Sequence, residues 1–351
     1  VAGRGGRGAN FRQPVIEGNL SETYGNSALN ARNYSLTGQT LPKPVRIQND
    51  YSLTLGGVFP FLKSNTGTQS KSGPGMGPPG ASRPGWSFSY SGNRNRNAQD
   101  ILTTVPTDLE RAGDFSQTYV QALVVDPATG KQTVVNQPAQ LYSDPDDPAS
   151  KFTKIASLDP IAEQLLEFIP QANLPCAANT PCVNNYALQR SLPSTSDQIQ
   201  ASVTGLRIGS RDNMAVNYSM RRGSSLNAAT FSGLDTTREN SAQNIGVSGT
   251  HRFQQRLFMS WRVTLNRTRT ESTNAFAYVR DVEGDLGITG VSRDPINWGP
   301  PTVNFTNYGN LSLAAPSFNR NQNFTASGGI NKIGRKHSLQ AGADINAYQR
   351  N

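Results

Sequence analysis

Leu257-Phe-Met-Ser-Trp-Arg-Val-Thr-Leu-Asn-Arg-Thr268 alternates. Leu257, Met259, Trp261, Val263 and Leu265 point one way; Ser260, Arg262, Thr264, Asn266 and Thr268 point the other. A period of two is the signature of a β-strand, because successive side chains leave opposite faces. The same pattern spreads outward along the chain. Met214, Val216, Tyr218 and Met220 alternate with Ala215, Asn217, Ser219 and Arg221. Ile199, Ala201 and Val203 do so with Gln200 and Ser202, and Ile245 and Val247 with Asn244, Gly246 and Ser248. Further on come Phe324, Ala326 and Ile330, then Leu339, Ala341, Ala343 and Ile345. Towards the start, Tyr51, Leu53 and Leu55 share a face, as do Trp86, Phe88 and Tyr90, whose other face is serine.

The spacing of these stretches narrows the architecture. Tight turns are expected near 209–213, 253–256 and 334–336, and long loops at 223–240 and 271–320. Short turns at one end and long loops at the other, joining strands of ~10 residues or more, suit an outer-membrane barrel better than a β-sandwich. Composition agrees. Of 351 residues only 16% are charged and 35% hydrophobic, with 33 Gly and 22 Pro. That excludes a highly charged disordered chain and a Leu/Glu/Lys helix bundle. No apolar run approaches the ~20 residues of a spanning helix. A barrel does not need one, since its polar face dilutes the average. The net charge of +9 suits nucleic acid or anionic lipid.

Residues 98–196 read differently, rich in Pro and Asp with weak alternation. A helix is expected at 159–169: Asp159 is a good N-cap, Pro160 fits the first turn, and Ile161, Ala162, Leu165, Leu166 and Ile169 form an apolar stripe ended by Pro170. Cys176 and Cys182 suit a small disulfide-closed loop in an oxidising compartment. A zinc half-site lacks a second ligand pair, and two reduced cysteines are the remaining alternative. With two Cys and two His in the chain, no metal site is expected and no cofactor is implied.

No nucleophile elbow, phosphate loop or metal-ligand set is found, so no catalytic residue is assigned and an enzyme is not expected. Glu110 and Asp114 read as capping groups of a short helix or turn. Arg4-Gly-Gly-Arg and Asn93-Arg-Asn-Arg-Asn near Trp86, Phe88 and Tyr90 pair charge with rings, but read as loop and interfacial residues rather than a nucleic-acid surface. Asp126, Asp144, Asp146 and Asp147 match no calcium loop and read as solvated turns. Arg94, Arg96, Arg221 and Arg222 are read as basic loop residues able to meet lipopolysaccharide phosphates or an anionic ligand.

Several segments together resemble the barrel region of TonB-dependent outer-membrane receptors of the Oar-like type, which often carry an N-terminal carboxypeptidase-regulatory-like domain. They are Ala31-Arg-Asn-Tyr-Ser-Leu-Thr-Gly-Gln, Leu55-Gly-Gly-Val, Thr104-Val-Pro-Thr-Asp-Leu-Glu-Arg-Ala-Gly-Asp-Phe-Ser and Val125-Asp-Pro-Ala-Thr-Gly. Leu158-Asp-Pro-Ile-Ala-Glu-Gln-Leu-Leu-Glu-Phe-Ile-Pro, Asp285-Leu-Gly-Ile-Thr-Gly, Trp298-Gly-Pro-Pro and Gly334-Arg-Lys-His-Ser-Leu-Gln-Ala-Gly-Ala-Asp follow in order. The resemblance implies the bacterial cell outer membrane, a barrel of roughly 22 strands around a plug, and import of an external substrate with energy relayed by TonB.

The resulting expectation is an all-β chain, part of a transmembrane antiparallel β-barrel with long external loops and one short helix. Residues 1–48 would be a loop-rich lead-in, 49–97 the first barrel strands, 98–196 a long loop insertion, and 197–351 barrel hairpins. Val1-Ala-Gly-Arg lacks a signal peptide's apolar core and Gln349-Arg-Asn lacks a terminal aromatic, so a fragment of the receptor is expected. Arg262, Thr264 and Asn266 would face the lumen, and Leu257, Met259, Trp261, Val263 and Leu265 the lipid. Expected partners are outer-membrane lipid and lipopolysaccharide, an unknown extracellular ligand, and the TonB complex through an N-terminal part not in this sequence; nucleic acid is not. The alternative is a secreted all-β binding or adhesion protein without transport.

Overall fold

The computed structural model describes residues 16–31, 43, 45–59, 84–144, 146–147 and 149–351. Its elements in chain order are β1 (Ile16–Asn26), β2 (Ile47–Val58), β3 (Gly85–Thr103), α1 (Asp108–Arg111), β4 (Tyr119–Val125), β5 (Gln132–Pro138), β6 (Leu141–Tyr142), β7 (Lys151–Phe152) and α2 (Pro160–Leu166). Then come β8 (Tyr186–Ile208), β9 (Asp212–Asn227), β10 (Thr236–Gln254), β11 (Leu257–Asn274), α3 (Val282–Asp285), β12 (Ser317–Ile333) and β13 (Ser338–Arg350). Nine strands form one antiparallel sheet in the order β1-β2-β3-β8-β9-β10-β11-β12-β13. β1 and β13 carry its two outer edges.

Register gathers the apolar positions of all nine strands on one face. Val203 pairs with Val216, Val216 with Val247, Val247 with Val263, Val263 with Ala326, and Ala326 with Ile345. Further along the same face, Leu20, Leu53, Tyr90, Ile199 and Met220 stand opposite one another in turn. A slip of one residue in any strand would carry its apolar set to the polar face. Trp261 stands opposite Gly249, where a Cβ would fall 2.7 Å from the indole ring. Gly249 thus leaves the space across which the ring packs. Gly92 does the same for Tyr51, its Cβ position being 2.6 Å from that ring.

The sheet is larger than expected at both margins of the insertion. β3 runs on to Thr103 and β8 begins at Tyr186, so the insertion is 104–185 rather than 98–196. β1 falls within residues expected to be a loop-rich lead-in: Ile16, Gly18 and Leu20 alternate, but Gly and Asn dilute the signal. The loops expected at 223–240 and 271–320 shrink to 228–235 and 275–316, because paired backbone continues beyond the last apolar residue. The turn at Gly209 is present, and a bulge between Arg252 and Gln254 precedes the turn into β11. The Gly/Pro/Ser tract expected to loop at 64–84 lies almost wholly outside the described residues, as do Arg4-Gly-Gly-Arg and 32–39.

The long loops are themselves structured. The insertion adds two hairpins, β4-β5 and β6-β7, and the described residues include three short α-helices rather than one. α2 starts as expected, with Asp159 accepting from the amides of Ile161 at 2.8 Å and Ala162 at 3.2 Å. It ends at Leu166, short of the expected 169. Turns then carry Ile169, 3% exposed, into a core with Val105, Tyr186, Phe231, Leu234 and Leu311. These residues come from the insertion, the end of β8, the 228–235 loop and the 275–316 loop.

Candidate functional site

The sheet's second face is polar over the whole span of the apolar band. Ser21 and Ser52 are 2.7 Å apart between their hydroxyls, Ser87 and Ser202 2.8 Å, and Thr325 donates to Asn346 at 2.8 Å. Asn217 donates to the side chain of Asn244 at 3.1 Å, and Asn244 donates to Asn266. Arg262 is exposed on this face, opposite Ser248 and Ser327. Arg262, Thr264 and Asn266 thus share the polar face, while Leu257, Met259, Trp261, Val263 and Leu265 share the apolar one. Arg94 and Arg96 lie in β3 and Arg221 and Arg222 in β9, not in loops. They are strand residues because pairing extends beyond the band.

The loop core caps one end of the polar face. Along β8 as far as the bulge after Val203 the even-numbered residues are on this face, and Tyr186, Leu188 and Arg190 meet the loops there. Arg190 makes two bonds to Asp235, which also accepts from the Ala229 amide at 3.0 Å. Burial by itself would raise the Asp235 pKa; the Arg190 guanidinium outweighs it and holds the carboxylate below its ordinary range. Asn185, 1% exposed, exchanges two bonds with the Val105 backbone, at 2.7 and 2.8 Å.

The remaining ties join the cap to itself. Thr107 and Glu110 form a capping box on α1, and Arg111 reaches over to the carbonyls of Leu166 at 2.7 Å and Ile169 at 2.9 Å, satisfying the end of α2. Burial, with Glu110 beside it, pushes the Tyr308 hydroxyl pKa up. Asp114 pairs with Lys154 at 2.7 Å; the bond from Lys154, then those from Ser116, lower its pKa to about 2. Cys176 and Cys182 are joined as a disulfide with Cα atoms 5.1 Å apart. Asp126 is held away from Asp144 in the β4-β5 turn, accepting from Ala128 N at 2.9 Å and Thr129 Oγ1 at 2.7 Å. Among the described residues, no group of three or more His, Cys, Asp or Glu is placed to hold a metal ion.

Sequence reasoning missed Phe231, Leu234 and the Arg190–Asp235 pair. The signal available was an apolar pair inside a short loop, in Phe231-Ser-Gly-Leu-Asp235, where an ordinary turn would be polar.

A long sheet, apolar on one face and hydroxyl- and amide-lined on the other, suits the wall of a transmembrane barrel. The model of an outer membrane beta barrel domain matches residues 15–351. The chain belongs to that family. It is an outer-membrane barrel protein, and the outer membrane is its location. No curated protein and no solved structure matches it. Membership gives the barrel strands a reason for their length. A strand crosses the bilayer in ~9–11 residues, whereas β8 to β12 have 16–23. The barrel wall therefore continues past the hydrocarbon at the capped end.

Proposed function

We propose that this barrel is the wall of a TonB-dependent receptor of the Oar-like type, which captures an extracellular solute and imports it. The apolar face, with Leu257, Met259, Trp261, Val263 and Leu265, lies against lipid. The polar face, with Arg262, Thr264 and Asn266, lines the passage. β1 and β13 need partners on their outer edges, because hydrocarbon tolerates no unpaired strand edge. The nine strands are then an arc of a larger wall. The reading assigns the chain no catalytic step and no cofactor.

The observation that carries this reading is the cap. A simple diffusion pore keeps its mouth open, whereas here three loops share a buried core on the passage side of the wall. Segments that resemble the receptor family, Thr104–Ser116 and Leu158–Pro170, are bound to each other in that cap through Arg111. Solute would be met by the cap, and its release inward would depend on TonB acting on parts outside this sequence.

The test uses the full-length protein in its native membranes, cross-linked to the periplasmic domain of TonB. A specific cross-link supports the receptor reading. Its absence, in protein that shows the heat-modifiable gel mobility of a folded barrel, sets that reading aside in favour of a capped barrel without TonB coupling.

A further inference from the structure

The β4-β5 hairpin stands apart from the rest of the insertion. All seven residues of β5 are exposed, and so are Gln121, Leu123, Val124 and Val125 of β4. Leu123 is 67% exposed, and Val134 directly opposite it 60%. Among the described residues, β4 is the only strand paired with β5. A lone two-stranded hairpin is marginal in water, and its open edges are a template for any strand that fits. Proteins commonly guard such edges with charge. Neither Tyr119–Val125 nor Gln132–Pro138 carries a charged residue.

The backbone fixes which groups point outward. Asp126 N donates to the Lys131 carbonyl at 3.0 Å, and Ala139 N to the Thr118 carbonyl at 2.7 Å. Bonded and unbonded pairs alternate along an antiparallel ladder. Thr133, Val135 and Gln137 therefore bond inward to β4, while the N–H and C=O of Gln132, Val134 and Asn136 point away from it. Pro138, at the next outward position, has no N–H and ends the usable edge.

We propose that the outer edge of β5 pairs with the same edge of a second copy of this chain, antiparallel and centred on Val134. Outward-pointing residues must meet outward-pointing residues, and a two-fold axis at Val134 achieves this. Val134 faces its own copy, and Gln132 of each chain faces Asn136 of the other. The side chains then match. Valine meets valine, the two amides supply donors and acceptors to each other, and Thr133 lies against Val135. No charge meets itself across the axis. Centring on Val135 would instead set Gln132 against Pro138 and lose a backbone bond. An unrelated strand would need the same neutral, amide-flanked valine, which a second copy supplies by construction. The joined hairpins make a four-stranded sheet, stable where each hairpin alone is marginal. This pairing goes beyond the receptor reading and does not depend on TonB.

The test uses the full-length protein in its native membranes, with folding verified by heat-modifiable mobility. Val134→Cys is expected to form a self-linked dimer on mild oxidation, read on non-reducing gels. Leu123→Cys, one strand further from the axis, should give severalfold less. The variant Q132C/N136C should also link. Adding Val134→Pro should cut that dimer by about tenfold or more, since each copy loses an outward N–H while the bonds to β4 are kept. If the proline disturbs the hairpin, Val134→Lys decides: it sets like charges face to face and should give a severalfold loss. No dimer from Val134→Cys in folded protein, or equal dimer from Leu123→Cys, overturns the pairing. A link from Val134→Cys to a different protein overturns the second copy as its occupant. The cross-link to TonB is read separately in the same membranes. A dimer without it leaves the pairing standing and sets aside only the receptor reading.

Discussion

The wall and the cap are built by opposite means. Nine hydrophobic residues are buried in the described structure, from Val105 to Leu311, and none belongs to the apolar band. The band has its alternation and its backbone pairing but no protein against its apolar side. The wall's own side-chain ties, such as Tyr51 with Tyr90 and Arg94 with Asp197, are partly exposed, whereas the cap buries Tyr186 against Phe231, with centroids 6.4 Å apart, and the Arg190–Asp235 pair, and closes a disulfide. On the reading proposed above, the wall takes its apolar burial from the bilayer, while the cap is organised around its own buried core. Each should fail without the other failing first.

The largest expected effect is Phe231→Ala. Phe231 is fully buried, so truncation should cost the cap ~3–5 kcal/mol. Hydrogen exchange should rise sharply at 104–112 and 165–172, while heat-modifiable mobility of the wall is kept. Loss of both together would mean that wall and cap are one cooperative unit. Next, Val263→Arg should destabilise the wall in bilayers by ~2–4 kcal/mol, against close to zero for Thr264→Arg, in urea titrations of vesicle-folded protein. Equal costs at these adjacent positions would break the two-face account.

Smaller effects belong to the cap. Replacing Cys176 and Cys182 by serine closes no loop in the unfolded chain and should cost about 2 kcal/mol, read as faster proteolysis of the insertion. The pH dependence has two limbs. Asp114 has a folded pKa lowered to about 2 from 3.8, so its contribution is present above pH 3.8 and fades as pH falls through about 2. Tyr308 has a raised pKa, so its contribution is full below the ordinary value of 10.0 and is lost as pH rises beyond it. Exchange in the cap should therefore increase at both extremes, and Tyr308→Phe should remove the alkaline limb. An alkaline limb unchanged in that variant would show that another group controls it.

The wall was legible in the sequence because a period of two survives any tertiary context that keeps one face apolar. Leu257 to Leu265 needed no partner to be read. β1 was missed because Gly18 and Asn19 carry little pattern and Glu22 interrupts it. The ends of β3 and β8 were missed because beyond the bilayer a strand needs no apolar side, so Arg94 to Thr103 looked like loop. The cap was the least legible part. Its core joins residues as distant as Val105, Ile169, Phe231 and Leu311, and no local period announces contacts of that range. Asp159 and Pro160 did mark the start of α2, since capping is local chemistry. Its end at Leu166 precedes the turns that place Ile169 in the core, and no capping signal encodes that placement.

The central claim is that one face of the sheet meets lipid and the other meets water. Single nitroxides placed at each position from Leu257 to Thr268 of the vesicle-inserted full-length protein test it directly. The account predicts oxygen-accessible labels at 257, 259, 261, 263 and 265, alternating with water-accessible labels at 260, 262, 264 and 266. Uniform exposure to water along the strand, or lipid contact at the even positions, would contradict it.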